Sequence, residues 1–217
     1  MARSWQGVPL SEEIPSIAYE LRKGQTMNEQ KNVQTNTSLT SSQEAMASLW
    51  EQHLRDEFEL HDVDKTMETM VADPYNTAIP VLTGGVGEDE VREFYTKWFI
   101  SQNPPDIETT LVSRTIGNNQ LVDEVILKFT HTTQMDWILP GIPPTGKRVE
   151  VPLVVVVGFR DSKIAYERIY WDQASVLVQV GLLDAGTLPV VGIESAQKVV
   201  NPDLPSNTLI ERAYQRK

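Results

Sequence analysis

Cysteine is missing from the 217-residue chain, which excludes thiol nucleophiles, disulfides and thiolate-bound zinc. Histidine is scarce. His53, His61 and His131 fall in separate segments with no His-x-x-x-His pair, so no metal site is expected. Positive charge is short as well. Nineteen Lys and Arg against 30 Asp and Glu leave a net charge of −11. Phosphate binding needs clustered cations, so neither a nucleic acid nor an anionic membrane surface is an expected partner. No apolar run approaches the ~18 residues of a membrane span. The first thirty residues lack the apolar core of a signal peptide, and a cytoplasmic location is the expectation.

What remains is a soluble composition, 40% hydrophobic and 23% charged, with enough length for one core and some surplus. The surplus is expected at the ends: an N-terminal extension over 1–42, polar towards QTNTSLTSSQ, and an irregular C-terminal arm over 186–217 carrying Pro189, Pro202 and Pro205. The domain proper is expected over 43–185.

It begins with helical spacing. Met46, Leu49, Trp50, Leu54 and Phe58 form an apolar stripe, with Ser41 or Ser42 as the cap. His53 and His61 lie on or beside that stripe and read as core-edge residues. DVDKTMETMV suggests a second helix stopping before Asp73-Pro74, and YNTAIPVL a short strand, at an edge because of Pro80. The glycines of TGGVGEDE are followed by acids and no Lys-Ser or Lys-Thr, which rules out a phosphate loop. A third helix is expected over Glu88 to Phe99.

From Asp106 the period becomes two. IETTLVSRTI, LVDEVILKFTHTTQM, KRVEVPLVVVVGF and KIAYERIYW read as antiparallel strands with short connections. Helices followed by a meander make an α+β fold, with the helices on one face. Alternation places His131 on the inward face of its strand. In the last strand it groups Ile164, Tyr166, Arg168, Tyr170 and Asp172 on one face, against Ala165, Glu167, Ile169 and Trp171 on the other. If the first face lines a cavity, its phenols, guanidinium and carboxylate suit an oxygen-rich small molecule; a dimer contact is the competing reading for Arg168 and Glu167. ASVLVQVGLL fits either a strand or a short helix capped by Asp172.

Three segments, LTGGVGEDEVREFY, MDWILPGIPPTGKRVEVPLVVVV and KIAYERIYWDQASVLVQVGLL, resemble the SnoaL-like polyketide cyclase family of the nuclear transport factor 2-like superfamily. The resemblance implies a cone: helices over a strongly curved antiparallel sheet enclosing a pocket, with ASVLVQVGLL as a short helical closure. It makes ILPGIPPTGK a crossover at the pocket mouth, with His131, Asp136 and Trp137 at the rim or upper wall. Asp172, in the Trp-Asp pair, matches the family's functional aspartate. Where relatives often carry histidine, this chain has Ala78, Tyr166 and Arg168.

The function implied is a cofactor-independent cyclase or isomerase acting by proton transfer on a polyketide-like or other oxygenated metabolite. Asp172 and His131 are the expected acid/base residues. Tyr166, Arg168, Tyr170, Asp136, Trp137 and Trp50 are the expected substrate contacts. Epoxide opening by Asp172 with Asp136 or Tyr170 is the enzymatic alternative, and a non-catalytic carrier or dimerising module the other. Because Leu153 to Val157 supplies apolar side chains to both sheet faces, a homodimer is expected.

Overall fold

A computed structural model describes residues 39–215, so nearly all of the expected extension over 1–42 lies outside the described residues. Helix α1 spans Ser41–Phe58. Its cap is Thr40, not Ser41 or Ser42: the Thr40 hydroxyl accepts the Gln43 N–H, and the Gln43 side chain returns to the Thr40 N–H, a reciprocal capping box.

Helix α2 is shorter than its pattern suggests, Val63–Glu68, capped by Asp62. The chain then enters strand β1, Met70–Ala78. That strand is interior, between β2 (Thr83–Val86) and β6 (Lys163–Trp171), and runs parallel to β6. The expected edge position fails because Pro80 lies beyond the strand, in the turn, and removes no ladder bond. Gly84 and Gly85 are there for room. A Cβ at Gly84 would stand 2.0 Å from the Asn76 carbonyl oxygen, and one at Gly85 2.5 Å from the Glu90 backbone.

Helix α3, Glu88–Phe94, passes into a π-helical turn, Tyr95–Phe99, and a 3₁₀ turn, Ile100–Gln102. Strands β3 (Glu108–Ile116), β4 (Gln120–Thr130), β5 (Arg148–Arg160) and β6 follow as the expected antiparallel meander. The sheet has six strands in the order β2-β1-β6-β5-β4-β3, and its inner face packs on the helices. Strand β4 stops at Thr130, five residues short of its alternating pattern.

After β6 come α4 (Gln173–Gln179), α5 (Glu194–Val200) and α6 (Thr208–Gln215). The tail is therefore partly helical where an irregular arm was expected. Ala196 of α5 is buried, and Ser175 Oγ of α4 donates to the Gly192 carbonyl at 2.6 Å. Among the described residues no helix is long and apolar enough to cross a membrane.

Candidate active site

On helix α1, residues 50, 53, 54 and 57 share one face by helical spacing, and that face meets the sheet. It therefore carries a histidine and a glutamate into the core one turn apart. His53 and Glu57 are both buried, at 0% and 2% exposure. Across from them, β6 supplies Glu167 and its parallel neighbour β1 supplies Asn76, paired with Glu167 in register. The π-helical turn supplies Tyr95. An extra residue in a helical turn re-aims its side chains, and here Tyr95 and Phe99 are both buried.

The hydrogen bonds assign the protons. Thr69 Oγ1 donates to the Thr66 carbonyl at 2.6 Å, so at 2.6 Å from His53 Nδ1 it accepts, and Nδ1 carries a hydrogen. His53 Nε2 then faces three oxygens: Glu57 Oε1 at 3.0 Å, Glu167 Oε1 at 3.1 Å and Tyr95 Oη at 3.2 Å. Tyr95 donates to Glu167 Oε1 at 2.9 Å, and Asn76 Nδ2 donates to Tyr95 at 3.3 Å.

Burial pulls the His53 pKa down, but the charges of Glu57 and Glu167 and their hydrogen bonds outweigh it, raising it from 6.5 to about 10. The ring is an imidazolium at neutral pH. Burial drives the Glu57 carboxyl up despite the opposing charge of His53. The Tyr95 phenol is pushed well up, first by burial and then by the charges of Glu167 and Glu57, and stays a donor. With both carboxylates ionised the cluster carries one uncompensated negative charge; a proton on Glu57 cancels it.

This cluster closes the polar end of a cavity. Glu57, Asn76 and Glu167 line it together with Trp50, Leu54, Phe58, Phe99, Leu127, Trp137, Leu153 and Ile169, among others. The cavity holds about 580 Å³ of non-protein space including its open mouth, and the centre of a water molecule ranges over about 60 Å³ of it. Asp123 also lines it, but its carboxylate is saturated: it accepts Trp50 Nε1 at 2.9 Å and Arg114 Nε and Nη2 at 2.8 and 2.9 Å. Among the described residues, His53, Glu57 and Glu167 are the set whose donor atoms, within 4.8 Å of one another, are close enough to share a metal ion. The same atoms are arranged as an imidazolium between two carboxylates.

Of the residues singled out in the sequence, Trp50 and Trp137 line the cavity. Trp137 Nε1 donates to Asn103 Oδ1 at 3.2 Å. The others are elsewhere. A bulge at Ala165, where the pairing passes from Gly158↔Tyr166 to Phe159↔Ile164, reverses the faces of β6. Glu167, Ile169 and Trp171 consequently turn inward, and Tyr166, Arg168 and Tyr170 outward.

Outside, the Tyr166 ring stacks on Tyr75 with centroids 5.0 Å apart, accepts Gln120 Nε2 at 2.8 Å, and lies 4.7 Å beneath the Arg168 guanidinium. Tyr170 is 40% exposed. Asp172 is exposed, and its carboxylate caps α4 by accepting the Ala174 N–H at 2.9 Å.

His131 and Asp136 are staples of the Pro-Gly crossover. His131 exchanges backbone bonds with Lys147 and Gly146, and its Nδ1 accepts the Thr145 N–H at 3.3 Å. Burial holds its pKa below the ordinary value. Asp136 accepts Gly141 N–H at 2.8 Å, Gln102 Nε2 at 2.9 Å and Gln134 Nε2 at 2.7 Å. The Gly141 bond first, and then the two amides, hold its carboxyl below the usual range against the effect of burial.

Glu57, Asn76 and Tyr95 are not among the residues the sequence points to, His53 reads there as a core-edge residue, and Glu167 as a candidate dimer contact. The available signal was a glutamate at position i+7 of an otherwise apolar stripe beginning at Trp50, four residues after a histidine on the same face.

No curated protein matches the chain. Solved structures do. A protein from Jannaschia sp. CCS1 described as a SnoaL-like polyketide cyclase is 18% identical, with a TM-score of 0.53 over 69% of this chain and all of its own. AclR of Streptomyces galilaeus, described as a hydroxylase, is 18% identical at a TM-score of 0.51, over 66% of this chain and 89% of its own. TsrD of Streptomyces laurentii gives 18% and 0.51, over 67% and 100%. At such identities these show the shared fold. The family model for SnoaL-like polyketide cyclases matches residues 43–180, well over half of the sequence and spanning α1 to the end of α4. The chain belongs to the SnoaL-like polyketide cyclase family.

Proposed function

We propose that the protein catalyses proton transfer on a small metabolite of polyketide or related type, in a cyclisation or isomerisation that draws on its own side chains. The observation that carries this reading is the His53–Glu57–Glu167 cluster at the floor of an apolar cavity. A carboxyl whose pKa is raised by burial is the right group to take a proton and return it, and Glu57 is that group. Glu167, clamped by Tyr95 and the imidazolium, holds the ring in place and supplies the second carboxylate. His53, Tyr95 and Glu167 act as positioning residues; Glu57 faces the ligand. Trp50, Trp137 and Phe99 exclude water and hold the apolar body of the substrate. The acid/base role expected of Asp172 and His131 passes to Glu57 because neither of those residues lines the cavity.

A second reading, epoxide opening, is favoured by the two carboxylates on one floor, one to activate water and one to protonate the epoxide oxygen. The test that covers both is a screen of small cyclic ketones, enones and epoxides in D₂O, followed by NMR. Incorporation of deuterium at carbon acids that falls about 10²-fold in Glu57→Gln supports proton transfer. Ring opening without exchange supports the epoxide reading. Ligand binding with neither reaction supports a carrier.

A further inference from the structure

The cavity floor is rich in acceptors and poor in donors. Three of the side chains that line it are carboxylates, Glu57, Asp123 and Glu167, and among the described residues none of the lining is Lys, Arg or His. One polar atom of this lining has no partner, and it is an acceptor: Asn76 Oδ1, on a residue 2% exposed. Glu57 Oε1 is ion-paired with His53 Nε2 at 3.0 Å, and an ionised carboxylate has further lone pairs to offer. The candidate donors are committed elsewhere. Asn76 Nδ2 goes to Tyr95, Tyr95 to Glu167, Trp50 Nε1 to Asp123 and Trp137 Nε1 to Asn103. A buried acceptor left alone is costly, so the Asn76 oxygen calls for a donor from the ligand, and the Glu57 carboxylate can accept a second.

Charge points the same way. His53 as imidazolium cancels one of the two cluster carboxylates, and one negative charge remains. A ligand carboxylate or phosphate would meet three carboxylates and no cationic side chain in this lining. A ligand cation would complete the balance, with aromatic faces from Trp50, Phe58, Phe99 and Trp137 around it.

We infer that the cavity takes a small apolar amine in its protonated form, its nitrogen donating to Glu57 Oε1 and Asn76 Oδ1 and its hydrocarbon body lying against the aromatic wall. This rests on the reading of the cavity as the functional site and narrows its ligand class.

The probes are benzylamine, benzyl alcohol and benzoate, three molecules of one shape and three charges, titrated calorimetrically into the full chain. Benzylamine is expected to bind at least about tenfold more tightly than the other two, since a charge-assisted bond is about twice as strong as a neutral one. Glu57→Gln and Asn76→Leu, each checked for wild-type thermal unfolding, are expected to erase the preference. Benzyl alcohol or benzoate binding as tightly as the amine overturns the inference, as does absence of saturable amine binding, or an amine preference that survives in folded Glu57→Gln. Binding and turnover separate the two claims. A neutral ketone that exchanges protons while amines fail to bind removes this inference and leaves proton transfer standing. Tight amine binding with no exchange in any substrate does the reverse.

Discussion

His53 Nε2 lies 3.1 Å from Glu167 Oε1, tying the fourth turn of α1 to the strand next to the sheet's centre. That contact holds the charged ends of two elements far apart in sequence at the bottom of one cavity. It also makes the protein's stability depend on pH in a definite direction.

Because the folded-state pKa of His53 is raised from 6.5 to about 10, the stability its charge contributes is complete below pH 6.5 and lost as pH rises through 10. Glu57 is raised too, and acts with the same sign from its ordinary value of 4.5 upward. His131 is lowered by burial, so its neutral form contributes stability above pH 6.5 that is lost on acidification. Urea unfolding between pH 6.5 and 10 is expected to show a decline on the order of a few kcal/mol. His131→Gln should keep that alkaline decline and weaken the acid-side loss. A flat profile over the alkaline window contradicts the imidazolium assignment.

Asp172 is a helix cap. Asp172→Ala is expected to cost about 1 kcal/mol, whereas Asp172→Asn, which retains the capping oxygen, should cost little. Thermal unfolding of the pair decides this. An equal loss in both would mean that the charge, and not the cap, matters.

Asp123 is a structural anchor, 1% exposed and bonded to Trp50 and Arg114. Asp123→Ala leaves a buried indole N–H unpaired and the half-buried Arg114 guanidinium with only the exposed Glu51 as partner, and is expected to cost about 3 kcal/mol. Arg114→Ala should be nearly as damaging, and the double variant far less than additive. Additive losses would show that the two side chains act independently.

The outer face of the sheet supports a proposal of a homodimer. Val154 and Tyr170, partners across β5 and β6, are 39% and 40% exposed, with Val156 half-buried beside them. Val154→Lys with Tyr170→Lys is expected to shift light-scattering mass from dimer to monomer. A monomer mass for the wild type at all concentrations contradicts the proposal.

The fold was legible where period and punctuation agree. The two-residue alternation of β4 located its inward face, and Leu121, Leu127 and Phe129 are indeed buried. The site was legible only in part, for two physical reasons. A β-bulge at Ala165 adds one residue to β6, and one residue suffices to exchange its faces, so Tyr166 and Arg168 were expected where Glu167 and Ile169 stand. The second reason is that His53, Glu57 and Asn76 become a site only by convergence from separate elements. Each alone reads as a polar residue at the margin of a core. Asp136 and His131 were conspicuous because they sit among prolines and glycines, and they serve that turn.

The central claim is that the proton-handling group is Glu57 at the cavity floor and not Asp172 at the cap of α4. One assay decides it: the rate of deuterium incorporation into a turned-over substrate, measured per folded molecule for wild type, Glu57→Gln and Asp172→Asn. The account predicts a loss of about 10²-fold or more in Glu57→Gln and a wild-type rate in Asp172→Asn. A wild-type rate in Glu57→Gln together with a collapse in Asp172→Asn would contradict it.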